Sequence, residues 1–207
     1  MAYVPLHVHS QFSILDSTAS VTALAEKAKS LGMSALAITD EGNLYGAVDF
    51  YKACKAVGVK PILGCEIWMA PVSRLEKKRS PGAPNGGSVV LLAKDLLGFK
   101  NLCKLSSIGF LEGFYYVPRI DKEALSAHKE GLICLSGDPA EAEWFQNLFG
   151  EDFYFEIQRH PKIAEDVQES WLLQKMRDYV ANQEKKNEEL IALSKKWGIG
   201  LVATNDV

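Results

Sequence analysis

The stretch ALAITDEGNLYGAVDFYKACKAVGVKPILGCE, Ala35 to Glu66, reads as strand, helix, strand. Ala35 to Thr39 is an apolar run of strand length, Ala47 to Val57 carries apolar residues at helical spacing and stops at Gly58, and Pro61 to Cys65 is a second apolar run. Strands joined through a helix are the unit from which parallel sheets are built. Working outward, the unit repeats. Val4 to Val8 predicts an earlier strand, followed by a helix that Ser20 caps, with Val21, Leu24, Ala25, Ala28 and Leu31 on one face and Gly32 as its stop. Further strands are expected at Val89 to Ala93, Leu132 to Leu135, Phe153 to Gln158 and Gly200 to Thr204. Helices are expected at Leu97 to Phe110, just before His128, and at Ala140 to Phe149. The segment Ile163 to Trp197 fits one long helix or two, because a polar patch separates Leu172, Met176, Tyr179 and Val180 from Leu190, Ile191 and Leu193.

A strand count near seven favours an α/β fold of the irregular seven-stranded βα-barrel type over an open doubly wound sheet. Residues 1–207 read as a single domain, with 71–87 as an exposed loop rich in Pro, Gly and charge. Its basic cluster, Arg74, Lys77, Lys78 and Arg79, reads as a solvated surface in preference to a phosphate contact. The four cysteines are widely spaced, with no C-x-x-C pair, and read as small buried apolar residues. No apolar run is long enough to span a membrane and no export signal opens the chain, so a cytoplasmic location is expected. A net charge of −3 argues against this segment gripping a DNA backbone by itself, since such binding rests on phosphate neutralisation.

Groups able to ligate a metal recur just past the expected strand ends. His7 and His9 close the first, Asp40 and Glu41 follow the second, Glu66 follows the third and Asp206 the last. In parallel βα folds that edge is where active sites are assembled. His-x-His in an extended segment puts both imidazoles on one side, where they can share an ion. Each residue has a blander reading: packed histidines at a strand edge, and carboxylates capping the following helices. The recurrence favours the metal. The remaining histidines, His128 and His160, are unassigned, with His128 placed against a helix dipole.

The segments PLHVHSQFSILD from Pro5, Ala35 to Glu66, VVLLAKDLLGFKNLCKLSS from Val89, EGFYYVPRIDKEAL from Glu112 and LVATNDV from Leu201 resemble the PHP (polymerase and histidinol phosphatase) domain of bacterial DNA polymerase III alpha subunits. That resemblance implies a PHP-type, TIM-like barrel forming the N-terminal part of a much longer polymerase. It implies a metal cluster that, where intact, supports phosphoesterase or 3′–5′ exonuclease chemistry. His7, His9, Asp16, Glu66 and Asp206 match the family's ligands, and Asp40 matches the aspartate of its Thr-Asp-His-Gly-Asn motif.

The sequence also departs from the family pattern. The motif's ligand histidine is Glu41 here, Ser88 stands where a histidine opens the Val-Leu-Leu-Ala-Lys strand, and Asp138 follows Gly137 where a ligand cysteine is expected, in a region shorter than the family's usual one. Losing ligands should disable a multi-metal phosphate clamp, while Glu41 and Asp138 could still hold a harder ion. The expectation is therefore a structural domain with a partly degenerate site for a divalent metal (zinc, manganese or magnesium). An active phosphoesterase or proofreading nuclease and a metal-free interaction module are the rivals. The implied partners are the remainder of the alpha subunit, a proofreading exonuclease subunit, and DNA mainly through the rest of the parent chain.

Overall fold

The computed structural model describes residues 3–78, 86–159 and 169–205. Its elements are α1 (Val21–Ser30), β1 (Ala35–Ile38), α2 (Ala47–Val57), β2 (Lys60–Met69), β3 (Gly87–Ala93), α3 (Leu96–Leu111), β4 (Arg119–Ile120), α4 (Lys122–Ala127), β5 (Leu132–Ser136), α5 (Ala142–Phe149), β6 (Phe153–Gln158), α6 (Ser170–Trp197) and β7 (Gly200–Thr204). The strands form one sheet in the order β1-β2-β3-β5-β6-β7, with β4 paired to the far end of β2 at Trp68 and Met69. Seven strands are present among the described residues, the number expected, but the membership differs.

Val4 to Val8 is not a ladder strand. It runs beside β1, where Ala37 N–H donates to Pro5 O and Thr39 N–H to Val8 O, but the Thr39 hydroxyl takes the Val8 N–H that a regular ladder would use. The short β4 makes up the seventh strand. A second difference is direction: β3 runs antiparallel to both β2 and β5, whereas the other pairs are parallel. A parallel neighbour needs a crossover, usually helical, whereas the described residues between Met69 and Gly87, 70–78 and 86, include no helix or strand. The start of β3 therefore lies at the same edge as the ends of the parallel strands.

The sheet curls. His7, on the β1 edge, hydrogen-bonds Glu156 of β6 at 2.8 Å, although four strand spacings separate β1 from β6 in the ladder, roughly 19 Å in a flat sheet. Inside the curl lie Ala37, Val90, Leu92 and Leu135, with Leu6, Ile62, Tyr154 and Val202 against them. Outside, α1 and α2 pack Val21, Ala25, Ala28, Phe50 and Cys54 onto Leu36 and Ile38, while the later helices cover Ile67, Val89, Leu91, Cys134, Phe153 and Phe155. Apolar residues on both faces explain why β3 is a near-continuous hydrophobic run.

The local signals hold at several ends. Ser20 Oγ accepts from Ala23 N–H to cap α1, and Gly58 closes α2 at φ 75°. The segment left as one helix or two is, in its described part, the single 28-residue α6, stopped by Gly198. Three cysteines are buried, but Cys103 is exposed on α3. In the loop from 71 onward, Arg74 is held by Asp121 at 2.9 Å and Glu112 at 2.7 Å, and Lys77 Nζ donates to the Glu112 and Arg74 carbonyls. These two members of the basic cluster are engaged within the protein. Residues 79–85, with Arg79, lie outside the described residues.

Candidate metal centre

Three side chains converge where the N-terminal segment meets the sheet edge. His7 and His9 are 4% and 5% exposed, their Nε2 atoms lie 3.3 Å apart, and each faces Glu66 Oε2, at 3.5 and 3.2 Å. This is the group among the described residues with ligand atoms close enough to share an ion. Glu66 sits within β2 and not after its end, because β2 continues to Met69.

The hydrogen bonds behind the imidazoles fix which nitrogen faces inward. Ser13 Oγ has one proton and gives it to Asp40 Oδ1 at 2.8 Å. At 2.8 Å from His9 Nδ1, the hydroxyl must therefore accept, as it does from Glu41 N–H. His9 Nδ1 is the protonated nitrogen. His7 Nδ1 likewise donates to Glu156 Oε1, an oxygen that Thr204 Oγ1 also contacts at 2.5 Å. Both Nε2 lone pairs then point at one another and at a carboxylate, which repels unless a cation or a proton lies between them.

In the absence of a metal that positive charge is a proton. Burial alone would lower the pKa of His7, but the Glu156 and Glu66 hydrogen bonds push it up to about 10. Burial opposes charge on Glu66 too, yet hydrogen bonds from His7 and His9, and one from Ser88, hold its carboxyl well below the usual carboxylate range. The donor set also fits a metal ion. For bonds of about 2.0–2.1 Å, tetrahedral ligands stand roughly 3.3–3.4 Å apart, and the three separations here are 3.3, 3.5 and 3.2 Å.

The other expected ligands are placed differently. Asp40 is buried, but its oxygens accept from Ser10 N–H, Ser10 Oγ and Ser13 Oγ, so it braces the loop after His9 and stands outside the three-ligand group. Glu41 lies beside Glu66 in an isolated bridge to β2 and accepts from Trp68 Nε1 at 2.6 Å. Burial, with the nearby Asp16 and Glu66 carboxyls, raises its pKa against that indole bond. Asp16 is exposed, within hydrogen-bonding reach of Glu41. Asp206 and His160 lie outside the described residues. Ser88, the second residue of the antiparallel β3 and opposite Trp68, reaches Glu66. Asp138 accepts from Ala140 N–H and caps the turn there. His128 caps the end of α4, but burial and Lys104 lower its pKa, opposite to the effect expected of a helix dipole.

Sequence reasoning missed Ser13, Glu156 and Thr204. A signal for Glu156 was present: in Phe153–Gln158, Phe153 and Phe155 face the outer helices, so Glu156 faces inward with Tyr154. An acid on the inner face of a curled sheet requires a partner. The group opens into a cavity of about 350 Å³ lined by His7, Glu66, Ser88, Asp138 and Glu156 on the sheet side and by residues of α6 on the other.

The chain resembles known proteins in sequence and in fold. A family model described as "PHP domain" matches residues 5–141. The chain is 47% identical to the DNA polymerase III subunit alpha of Chlamydia trachomatis and 45% identical to that of Chlamydia muridarum, in each case over all of this chain and 18% of the relative. It thus spans less than a fifth of the length of these relatives. Both alignments run to 226 positions for a chain of 207 residues, so each relative carries at least 19 residues without a counterpart here. In fold, it matches a protein from Bifidobacterium adolescentis assigned provisionally as a metal-dependent phosphoesterase, with a TM-score of 0.60 at 13% identity over 98% of this chain and 86% of that one.

Proposed function

The chain belongs to the PHP domain family, and from that premise we propose that it is the N-terminal PHP domain of a bacterial replicative DNA polymerase III alpha subunit, acting as a structural domain with a reduced metal site. The similarity to named alpha subunits over all of this chain supports the placement. The observation that carries the reduced site is the split among the expected ligands. His7, His9 and Glu66 converge, whereas Asp40 is engaged by two serines, Asp16 is exposed, and Glu41, Ser88 and Asp138 stand where the family pattern has histidine or cysteine. Two imidazoles and one carboxylate suit zinc or manganese better than magnesium, which prefers oxygen ligands.

When bound, the ion would supply Lewis acidity and a local positive charge. Glu156 and Ser13 would hold the imidazoles with Nε2 inward, and Glu66 would stay ionised to complete the set. A clamp on both the attacking and leaving oxygens requires ions held together by more ligands than converge among the described residues, which supports a site that binds without hydrolysing. The partner of the domain is the rest of the alpha subunit, since the relatives extend far beyond the matched segment. A proofreading exonuclease subunit, DNA reached through the rest of the chain, and a cytoplasmic location belong to the same reading. No helix among the described residues is long and apolar enough to cross a membrane.

Elemental analysis of protein purified without added metal, alongside hydrolysis of a simple phosphoester and of a DNA 3′ end, tests this. Bound zinc or manganese that falls in His9→Ala, with no hydrolysis above background, is the expected result. Hydrolysis lost in His9→Ala would establish the phosphoesterase instead, and absence of bound metal would leave the interaction module.

A further inference from the structure

Exposed apolar side chains gather where the last turn of α3, the turn that follows it and the loop from 71 onward meet. Leu75 is 63% exposed, Phe110 40%, Leu111 85%, Phe114 50% and Tyr116 65%. Phe110 and Phe114 stack with ring centroids 6.3 Å apart. Leu75 and Leu111 each adjoin a member of the Arg74–Glu112 ion pair, which joins the loop to the end of α3. Single exposed apolar residues are ordinary, but a contiguous group marks a contact surface.

The frame that carries the group is tied together. Arg74 pairs with Glu112, Asp121 and Glu123, and Lys77 Nζ donates to the Glu112 carbonyl. The buried Arg119 donates to the Gly113 and Glu76 carbonyls and lies over the Tyr115 ring at 5.0 Å. These bonds fix the loop against the turn, so little further ordering is needed for a partner to dock. Charged groups beside an apolar centre are also the arrangement found at interfaces between proteins.

The size of the surface selects its occupant. With about 150–250 Å² for a whole aromatic side chain, the five residues present roughly 600 Å². A matching partner brings the total to about 1,200 Å², the lower limit for stable association of separate proteins and inside the roughly 600–1,500 Å² of contacts between domains of one chain. A covalent link gives an effective concentration of about millimolar, so a surface of this size holds in cis where separate molecules would part. The chain spans 18% of its relatives, and most of such a polypeptide is therefore available to cover it. We propose that this apolar surface is where another domain of the same polypeptide docks. The assignment rests on reading the chain as the N-terminal part of an alpha subunit and is independent of the metal.

Maleimide labelling of introduced cysteines, in the parent polypeptide and in this chain alone, tests it. Leu75→Cys and Leu111→Cys are compared with Leu31→Cys, 58% exposed at the end of α1, and labelling is read at each site by peptide mass spectrometry. In this chain alone all three should label freely at every protein concentration. In the parent the two patch sites should label at least about tenfold more slowly, as docked residues that react only on opening do. Leu31→Cys should keep its rate there, and adding Phe114→Asp should restore labelling at both patch sites. Equal rates in the two proteins, protection that survives Phe114→Asp, or equal protection of Leu31→Cys overturns the proposal. So does protection in this chain alone that grows with its concentration, which marks a second copy, or protection in the parent only after a separate protein is added. A native species no longer than this chain, on an immunoblot of cells, removes the alpha-subunit placement and the docking together. A full-length parent whose patch sites label freely overturns the docking alone.

Discussion

Ser13 Oγ lies 2.8 Å from His9 Nδ1 while its single proton goes to Asp40, so the serine sets the imidazole tautomer and turns His9 Nε2 toward Glu66. Outer partners of ligating histidines commonly contribute about 10–100-fold in metal affinity. Ser13→Ala should therefore weaken zinc binding by about that factor, and Ser13→Thr, which keeps the hydroxyl, should recover most of it. Competition against a chelator reads the affinity. Nitrogen chemical shifts of the zinc-loaded protein should show His9 protonated at Nδ1 and ligated at Nε2, and ligation through Nδ1 would rule out this role for Ser13.

Stability of the metal-free protein should follow the charge pair formed by His7 with Glu66 and Glu156. A raised imidazole contributes stability that is complete below its ordinary value of 6.5 and is lost as pH rises through about 10. The lowered Glu66 carboxyl contributes stability present above its ordinary 4.5 and lost as pH falls below that value. This cluster therefore stabilises most between those two ordinary values, and melting temperature should fall along an alkaline limb toward 10. Glu156→Gln should flatten that limb in thermal melts of chelator-treated protein. An unchanged limb would show that His7 is not held charged by Glu156.

Metal binding must displace the His7 proton, so zinc affinity should rise as pH increases from 6 toward 9, with protons released. Glu156→Gln removes the carboxylate that favours the imidazolium, and its affinity should depend less steeply on pH. Titrations in buffers of different ionisation enthalpy count the protons released: with the His7 imidazole pushed up to about 10 the count should stay near one from pH 6 to 9, and a count near zero would contradict the assignment.

Ligand loss can be reversed at the positions where the sequence departs from its family. Glu41→His, Ser88→His and Asp138→Cys lie around the same cavity edge, Glu41 beside Glu66 and the other two in its lining. Each alone should change little, because groups that act as a unit are not additive. The combined variant should hold more metal by elemental analysis, and any hydrolysis it gains should disappear with a further His9→Ala change. An unchanged metal content would mean that these positions do not converge.

The fold has a backbone contact that tolerates no side chain. A Cβ added to Gly98, on the first turn of α3, would stand 2.0 Å from the Gly131 carbonyl oxygen at the entry to β5. Because the obstacle is backbone, Gly98→Ala should destabilise by about 1–3 kcal/mol or more, the range for overpacked sites. Urea denaturation checks this, with Gly32→Ala as a comparison at a glycine that has open space around it but φ 71°.

Much of the candidate centre was legible because its first three members sit in local patterns. His7 and His9 alternate along an extended segment, and Glu66 lies on the second strand of the unit quoted from Ala35 onward. Asp40 was harder to place, since a buried carboxylate after a strand serves a loop or a metal equally well by composition, and only the positions of Ser10 and Ser13 distinguish them. Cys103 shows the same limit in reverse: its residue type favours burial, but its turn of α3 faces outward.

The sequence by itself determined the alternation of strands and helices, the caps at Ser20 and Gly58, and the placement of His7 and His9 on one side of an extended segment, because period and turn chemistry act over a few residues. Only the tertiary structure decided that β3 runs antiparallel, that β4 replaces the N-terminal segment in the ladder, and that Glu156 stands behind His7 across 149 positions of chain. Strand order and curl set those relationships. They are fixed by which apolar faces bury together over the whole sheet, a sum of long-range contacts that no single window of sequence contains.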